Sequence, residues 1–195
     1  MGRRFVLFLS LAPALFAQSP TWWLALQRAG SLSARFTQES ESRVFGVLRQ
    51  TGTIQASKGG RLRLTYGDGK LLLADGASLI HFDPAARTAQ RTDLRRIAAD
   101  APLLKLLLDP AGLRAYCTER SISPGRLLLE PRHPGIPQVE LTGQGNRLEG
   151  ITWTDPTGAR QHVRLEDLRL DPGVFPEGTF RFQAPAGTRW LPGPR

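Results

Sequence analysis

Cysteine is nearly absent: Cys117 is alone among 195 residues. A lone thiol excludes an intramolecular disulfide and any metal cluster built from several cysteines. Lysine is scarce too, with three against 23 arginines. Those arginines are scattered, with no aromatic-and-basic recognition motif and no helix-turn-helix pattern beside them. The net charge of +9 is therefore read without a nucleic-acid partner. Long apolar runs are missing as well. The longest, Phe5 to Ala17, is 13 residues, about 20 Å as a helix, which falls short of a bilayer core of about 30 Å. Sequence repeats are absent. The 15 prolines and 20 glycines count against a long helical bundle, because both residues break helices.

Recognisable catalytic patterns are lacking. Gly76-Ala77-Ser78 does not fit a nucleophile elbow. Gly67-Asp68-Gly69-Lys70 lacks the first glycine and the final hydroxyl residue of a phosphate loop, and reads as a hairpin tip. His81, His133 and His162 have no metal-ligand spacing. Glu39 and Glu41 sit two apart on one strand face. A glycosidase needs its two carboxylates about 5 Å or more apart across a cleft, so these read as a solvated face, with a hydrolase as a remote alternative. The expectation is no catalytic residue, no metal and no cofactor.

What is present begins with a leader. Arg3 and Arg4 precede the short apolar run, and small Ala17 precedes polar Gln18. This is the layout of a secretory signal peptide over residues 1–17. No cysteine follows the run, so lipid attachment at that point is excluded. Residues 18–195 are then one exported domain.

The chain next reads as a helix, with Ser19 as N-cap, Pro20 at the first helical position and Gly30 as the stop. Strands follow. Leu62, Leu64 and Tyr66 alternate with polar residues, Asp68-Gly69 marks a hairpin, and Leu79 to Phe82 leads into Asp83-Pro84. A helical interruption runs from Thr92 to Leu108, with Asp93 as the cap of its first helix. Strands resume at Arg126, Gln138, Arg147 and Ala159, and Phe180-Arg181-Phe182 is the last. The predicted fold is mainly β: one strongly curved antiparallel sheet of about ten strands, with an N-terminal helix and a helical insertion over its mouth.

Leu103-Leu104 and Leu106-Leu107-Leu108 place five leucines in six residues. A helix that is apolar all round must be covered on several sides. Two readings stand: an ordinary core helix, or a lid over an apolar cavity inside the sheet.

At this point the chain resembles the LolA-type periplasmic lipoprotein carriers. Leu32-Ser33-Ala34-Arg35-Phe36-Thr37-Gln38 is similar to that family's opening Phe-x-Gln strand. Gly52-Thr53-Ile54 and Arg61 to Tyr66 resemble its Gly-x-Leu strand and Arg-Trp-x-Tyr. Leu73-Ala74-Asp75-Gly76 with Leu79 to Pro84 resembles its Val-x-Asp-Gly and Leu-x-x-Tyr-Asp-Pro block, and Phe180 to Gly187 its closing Phe-x-Phe-x-x-Pro-x-Gly. The resemblance implies an unclosed β-barrel with helical lids, a location in the periplasm and no enzymatic activity. It implies a monomer whose partners are acylated lipoproteins, an inner-membrane ABC-type releasing complex and an outer-membrane acceptor lipoprotein. The candidate cavity is Leu62, Leu64, Tyr66, Leu72, Phe82, Trp153, Val163 and Leu165; the candidate lid is Leu104, Leu107 and Leu108. Leu64 departs from the family's Trp. Ser57-Lys58-Gly59-Gly60 replaces the family's basic-residue-then-Pro turn, which leaves Lys58 as the candidate lid latch. A sensor of the sigma-factor-regulator type, on a similar barrel, is the alternative, although such sensors normally carry a second domain.

Overall fold

The computed structural model of the chain describes residues 19–97, 102–134 and 136–193. The expected leader, residues 1–17, lies outside the described residues. Helix α1 spans Thr21–Arg28, with Pro20 at its N-cap and no side-chain cap. Ser19 does not cap, as the sequence had suggested; its Oγ donates to Glu119 Oε2 at 3.4 Å. At the far end, Asp171 Oδ1 accepts from the Gly30 and Ser31 N–H groups at 2.7 and 3.0 Å. That carboxylate turns the chain from helix straight into sheet.

The described strands form one sheet. They are β1 (Ser31–Ser42), β2 (Gly46–Ser57), β3 (Arg61–Tyr66), β4 (Leu71–Asp75), β5 (Ser78–Asp83) and β6 (Thr88–Asp93). After the helical insertion come β7 (Cys117–Ser123), β8 (Arg126–Pro131), β9 (Val139–Gln144), β10 (Arg147–Thr154), β11 (Arg160–Leu170) and β12 (Arg189–Leu191). The spatial order is β12-β6-β5-β4-β3-β2-β1-β11-β10-β9-β8-β7. Every neighbour pair is antiparallel except β12 with β6, which is parallel. The edge strands β12 and β7 do not pair with each other, so the sheet curves without closing, and the fold is mainly β.

Alternation assigns the two faces. Leu62 and Leu64 of β3 stand opposite Ala56 and Ile54 of β2 and opposite Ala74 and Leu72 of β4. All six belong to or pack on one cluster that also holds Trp22, Trp23 and Leu26 of α1. This is the concave face. Two glycines make its close packing feasible. A Cβ on Gly52 would lie 2.5 Å from the Phe36 ring and 2.2 Å from the Thr65 carbonyl oxygen; one on Gly143 would meet the Trp22 indole at 2.7 Å.

The outer face of β4 to β6 is also apolar, with Leu71, Leu73, Ile80 and Ala89 buried. The C-terminal segment crosses it. Phe182 packs on Phe82 and Trp190, with ring centroids 5.3 and 5.9 Å apart, and Arg63 Nη1 donates to the Thr179 carbonyl at 3.2 Å. Phe180-Arg181-Phe182 is therefore not the expected last strand: Pro176 and Pro185 flank an irregular strap held by its aromatic rings, and the last strand is β12. Strands β6 and β7 had no clear signal in the sequence. Each has a single buried residue, Ala89 and Cys117, so pairing rather than hydrophobic alternation defines them.

Candidate functional site

Two helices fill the concave face. From the N-terminal side, α1 inserts Trp22, Trp23 and Leu26, all buried. From the insertion comes α3 (Pro102–Leu108), which follows the short α2 (Leu94–Ile97). Its Leu106 and Leu107 are buried, while Leu104 and Leu108 are half-buried against the same cluster. Lys105 on α3 lies over the Tyr116 ring, 4.6 Å from its centroid, and 3.6 Å from the Asp109 carboxylate. These contacts hold the largely covered Lys105 side chain against the segment that follows α3.

The two helices are tied down unequally. Glu119 anchors α1: its Oε1 accepts from Gln27 Nε2 and Arg114 Nε, each at 3.0 Å. Lys58 Nζ donates to the Arg28 carbonyl at 3.4 Å, which satisfies one of the free carbonyls at the end of α1. The latch candidate thus reaches α1 rather than α3. Between the helices runs a crevice of about 30 Å³, lined by Leu26, Leu32, Ala56, Leu107 and Leu108 and reached by Lys58. That is room for a few waters at most, so α1 and α3 pack closely along this crevice. Clefts of 840 and 480 Å³ lie on the outer face between the sheet and the C-terminal strap, beside Arg61, Asp75 and Arg181.

A family model described as the outer membrane lipoprotein carrier protein LolA matches residues 27–183, most of the chain. The chain belongs to the LolA family. No curated protein matches it. Among solved structures it is similar to an uncharacterised conserved protein from Thermus thermophilus, with 10% identity, 87% of this chain and 94% of that one covered, and a TM-score of 0.51. A LolA superfamily protein from Nitrosomonas europaea shares 11% identity over 84% of this chain and 99% of that one, with a TM-score of 0.46. The MucA/MucB complex of Pseudomonas aeruginosa matches at 12% identity over 84% of this chain and 59% of that one, with a TM-score of 0.41. Identities this low speak for the fold alone.

On this LolA-family frame, seven of the eight residues expected in the cavity come together. Leu62, Leu64, Val163 and Leu165 are buried in the concave cluster, and Tyr66, Leu72 and Trp153 pack against it. Phe82 stands apart. It pairs with Leu71 and Ala89 on the outer face and packs on Phe182, because the strand alternation that puts Leu79 on the concave face puts Phe82 on the other. The sequence reading also passed over the largest interior residues, Trp22 and Trp23. Their signal was the apolar face of the first helix, which carries no hint of which sheet face it covers. Both indole Nε1 atoms are buried without a hydrogen-bond partner among the described residues.

The polar groups of the site are structural. Burial, with help from the nearby Asp68 charge, raises the Tyr66 phenol above its ordinary range, and its ring meets Phe36 edge-on at 5.4 Å. Burial also raises the Cys117 thiol, which keeps it protonated and unreactive. At one rim, Asp155 Oδ1 accepts from the Thr157 hydroxyl at 2.6 Å and from the Thr157 and Ala159 N–H groups, while Oδ2 accepts from Gln161 Nε2 at 2.9 Å. Those bonds hold Asp155 below the usual carboxylate range, the Thr157 hydroxyl contributing most. Gln161 also donates to Ser40 Oγ and accepts from Gln38 Nε2. Glu39 lies outside the concave cluster and pairs with Arg49 at 3.5 Å. Among the described residues, no three His, Cys, Asp or Glu side chains gather in a metal-binding arrangement.

Proposed function

We propose that this LolA-family protein is a carrier that works in the periplasm after removal of residues 1–17. It shields the acyl chains of lipoproteins released from the inner membrane and delivers them toward the outer membrane. An inner-membrane ABC-type releasing complex supplies the cargo and an outer-membrane acceptor lipoprotein receives it. The protein acts as a monomer, by binding rather than by covalent chemistry.

The observation that carries this reading is the leucine face of α3 in the concave sheet. Each acyl methylene removed from water is worth about 0.8 kcal/mol, so a cargo with long chains does not cross water unaided. In the closed state, Leu106 and Leu107 occupy the space such chains need. When α3 lifts, acyl chains replace leucine side chains against Leu62, Leu64, Tyr66, Leu72, Trp153, Val163 and Leu165. Apolar surface is exchanged for apolar surface, so binding and release stay close in free energy. A carrier needs that balance, with open and closed states within a few kcal/mol.

The test is binding of a fluorescent triacylated peptide to the purified protein, together with mass spectrometry of what co-purifies from the periplasm. An acylated species in both experiments is expected. An intact fold that takes no acylated ligand would refute the carrier reading, and capture of an unacylated protein segment instead would favour the sensor reading.

A further inference from the structure

The β1–β2 hairpin ends in an apolar tip that the concave site does not use. Val44, Phe45, Val47 and Leu48 are 80, 88, 67 and 60% exposed. Contiguous apolar exposure of this kind marks an interaction surface. The tip projects beyond the sheet on both sides. Pairing of β1 with β11 ends at Glu41 and Arg160, and pairing of β2 with β3 ends at Gly52 and Tyr66. The turn thus stands about 10 Å past β11, at about 3.3 Å per residue.

We propose that this tip is a membrane-docking element that inserts into the interface of an anionic phospholipid bilayer. Three observations favour lipid over a protein groove. First, successive strand residues point to opposite faces, so Val47 and Leu48 make both faces of the ribbon apolar. A groove or flat partner would cover only one of them, whereas a bilayer surrounds the tip. Second, Ser42 Oγ accepts from the Val44 and Phe45 N–H groups at 3.2 and 3.4 Å, which lowers the cost of taking the turn's backbone out of water. Third, the charge is complementary. Arg43 is exposed in the turn itself and Arg49 behind it, and Arg160 ends the neighbouring strand; against Glu41 and against Glu39, which pairs with Arg49, these three arginines leave the tip net positive, on a chain that carries +9. An arginine beside apolar residues, its guanidinium reaching back to the headgroups while they enter the interface, is the pattern of an interfacial anchor, which reaches about 5–10 Å deep and does not span the membrane. The proposal goes beyond cargo binding and does not depend on it.

The experiment is flotation of the full chain, without its leader, with vesicles of phosphatidylglycerol and phosphatidylethanolamine and, separately, of pure phosphatidylcholine. The expected result is co-flotation with the anionic vesicles, weakened by salt. Partitioning should drop by about tenfold or more when Val44, Phe45, Val47 and Leu48 are all replaced by Ser, with a smaller drop for Arg43→Gln. These side chains touch solvent, so the thermal midpoint of the fourfold variant should match the parent. Should it fold poorly, Phe45→Ser alone carries the test. Affinity for a fluorescent acylated peptide should be unchanged in the tip variants, which separates this proposal from the carrier reading. Failure of the parent to float with anionic vesicles, equal flotation of the serine variants, or a tip-dependent dimer in sedimentation would each overturn it.

Discussion

The leucines of α3 allow a quantitative distinction between a lid and a core helix. Leu106 is almost fully buried and Leu107 nearly so. Truncation of either to Ala removes transfer free energy and leaves a void, and in a core helix each costs about 2–5 kcal/mol. The pair would then cost about 4–10 kcal/mol, enough to unfold many domains whose stability is about 5–15 kcal/mol. A lid behaves differently. If α3 opens at a cost of about 3 kcal/mol, the open state is about 1% populated. A substitution that weakens only the closed state cannot lower global stability by more than that opening cost, because the chain opens α3 and keeps the rest of its fold. We therefore expect the Leu106→Ala/Leu107→Ala variant to lose about 3 kcal/mol or less in urea, far below additivity. The same argument fixes the ligand response. Apparent affinity scales with the fraction already open, so raising that fraction from about 1% to most of the population should tighten acylated-peptide binding by tens of fold. Urea melts and a fluorescence titration on the same samples decide the matter. Additive losses with unchanged ligand affinity would show that α3 is core, and the mechanism proposed for cargo exchange would fall with it.

Three further outcomes are expected. Asp155 is depressed in the folded state, so it contributes stability above the unfolded carboxylate value of about 3.9, and that contribution is lost as pH falls through the folded value. Asp155→Asn should cost about 1 kcal/mol at neutral pH and show a smaller further loss in acid than the parent, by thermal melts from pH 7 to 3; identical acid profiles would contradict this. Gly52→Ala should lower the thermal midpoint sharply, by about 2 kcal/mol or more, because the Thr65 carbonyl and the Phe36 ring leave no room for a methyl group; a near-neutral melt would mean the strands part more easily than drawn. Glu39→Gln and Glu41→Gln should leave acylated-peptide binding unchanged, and loss of a hydrolytic activity in either variant would revive the enzyme alternative.

Strands β3, β10 and β11 were legible by alternation because one face of each is packed, whereas β4 and β5, packed on both faces, were legible as apolar runs between turn signals. Strands β6 and β7 were not, since their single buried residues, Ala89 and Cys117, give no period. Seven of the residues expected in the cavity share one cluster, whereas Phe82 lies on the outer face, because a strand with apolar residues on both faces does not say which face is inside. The lid was readable as a leucine run, but what it covers was not. Trp22 and Trp23 fill the same space from a helix more than 70 residues earlier in the chain, and only the fold brings the two helices together. The docking tip had its signal in Val44-Phe45-Gly46-Val47-Leu48. The neighbouring strands are too short to cover it, and strand lengths follow from pairing rather than from this run.

The sheet order also bears on how the chain reaches its native state. Apart from the short β12 contact, every neighbour pair but one joins strands consecutive in sequence. The exception is the seam between β1 and β11, where Phe36 meets Leu165 and Glu41 meets Arg160. Two meanders of low contact order can form quickly, each by local hairpin closure. The seam must wait until nearly the whole chain has emerged, and until then the long β1 edge is open to wrong partners. Folding of this protein should therefore be limited by that one long-range closure. Substitutions that weaken the seam, such as Gln38→Gly opposite Val163, should slow refolding, and equal losses in β8 or β9, paired before the seam closes, should slow it too while leaving unfolding nearly unchanged. Stopped-flow refolding that showed the reverse would move the late step elsewhere.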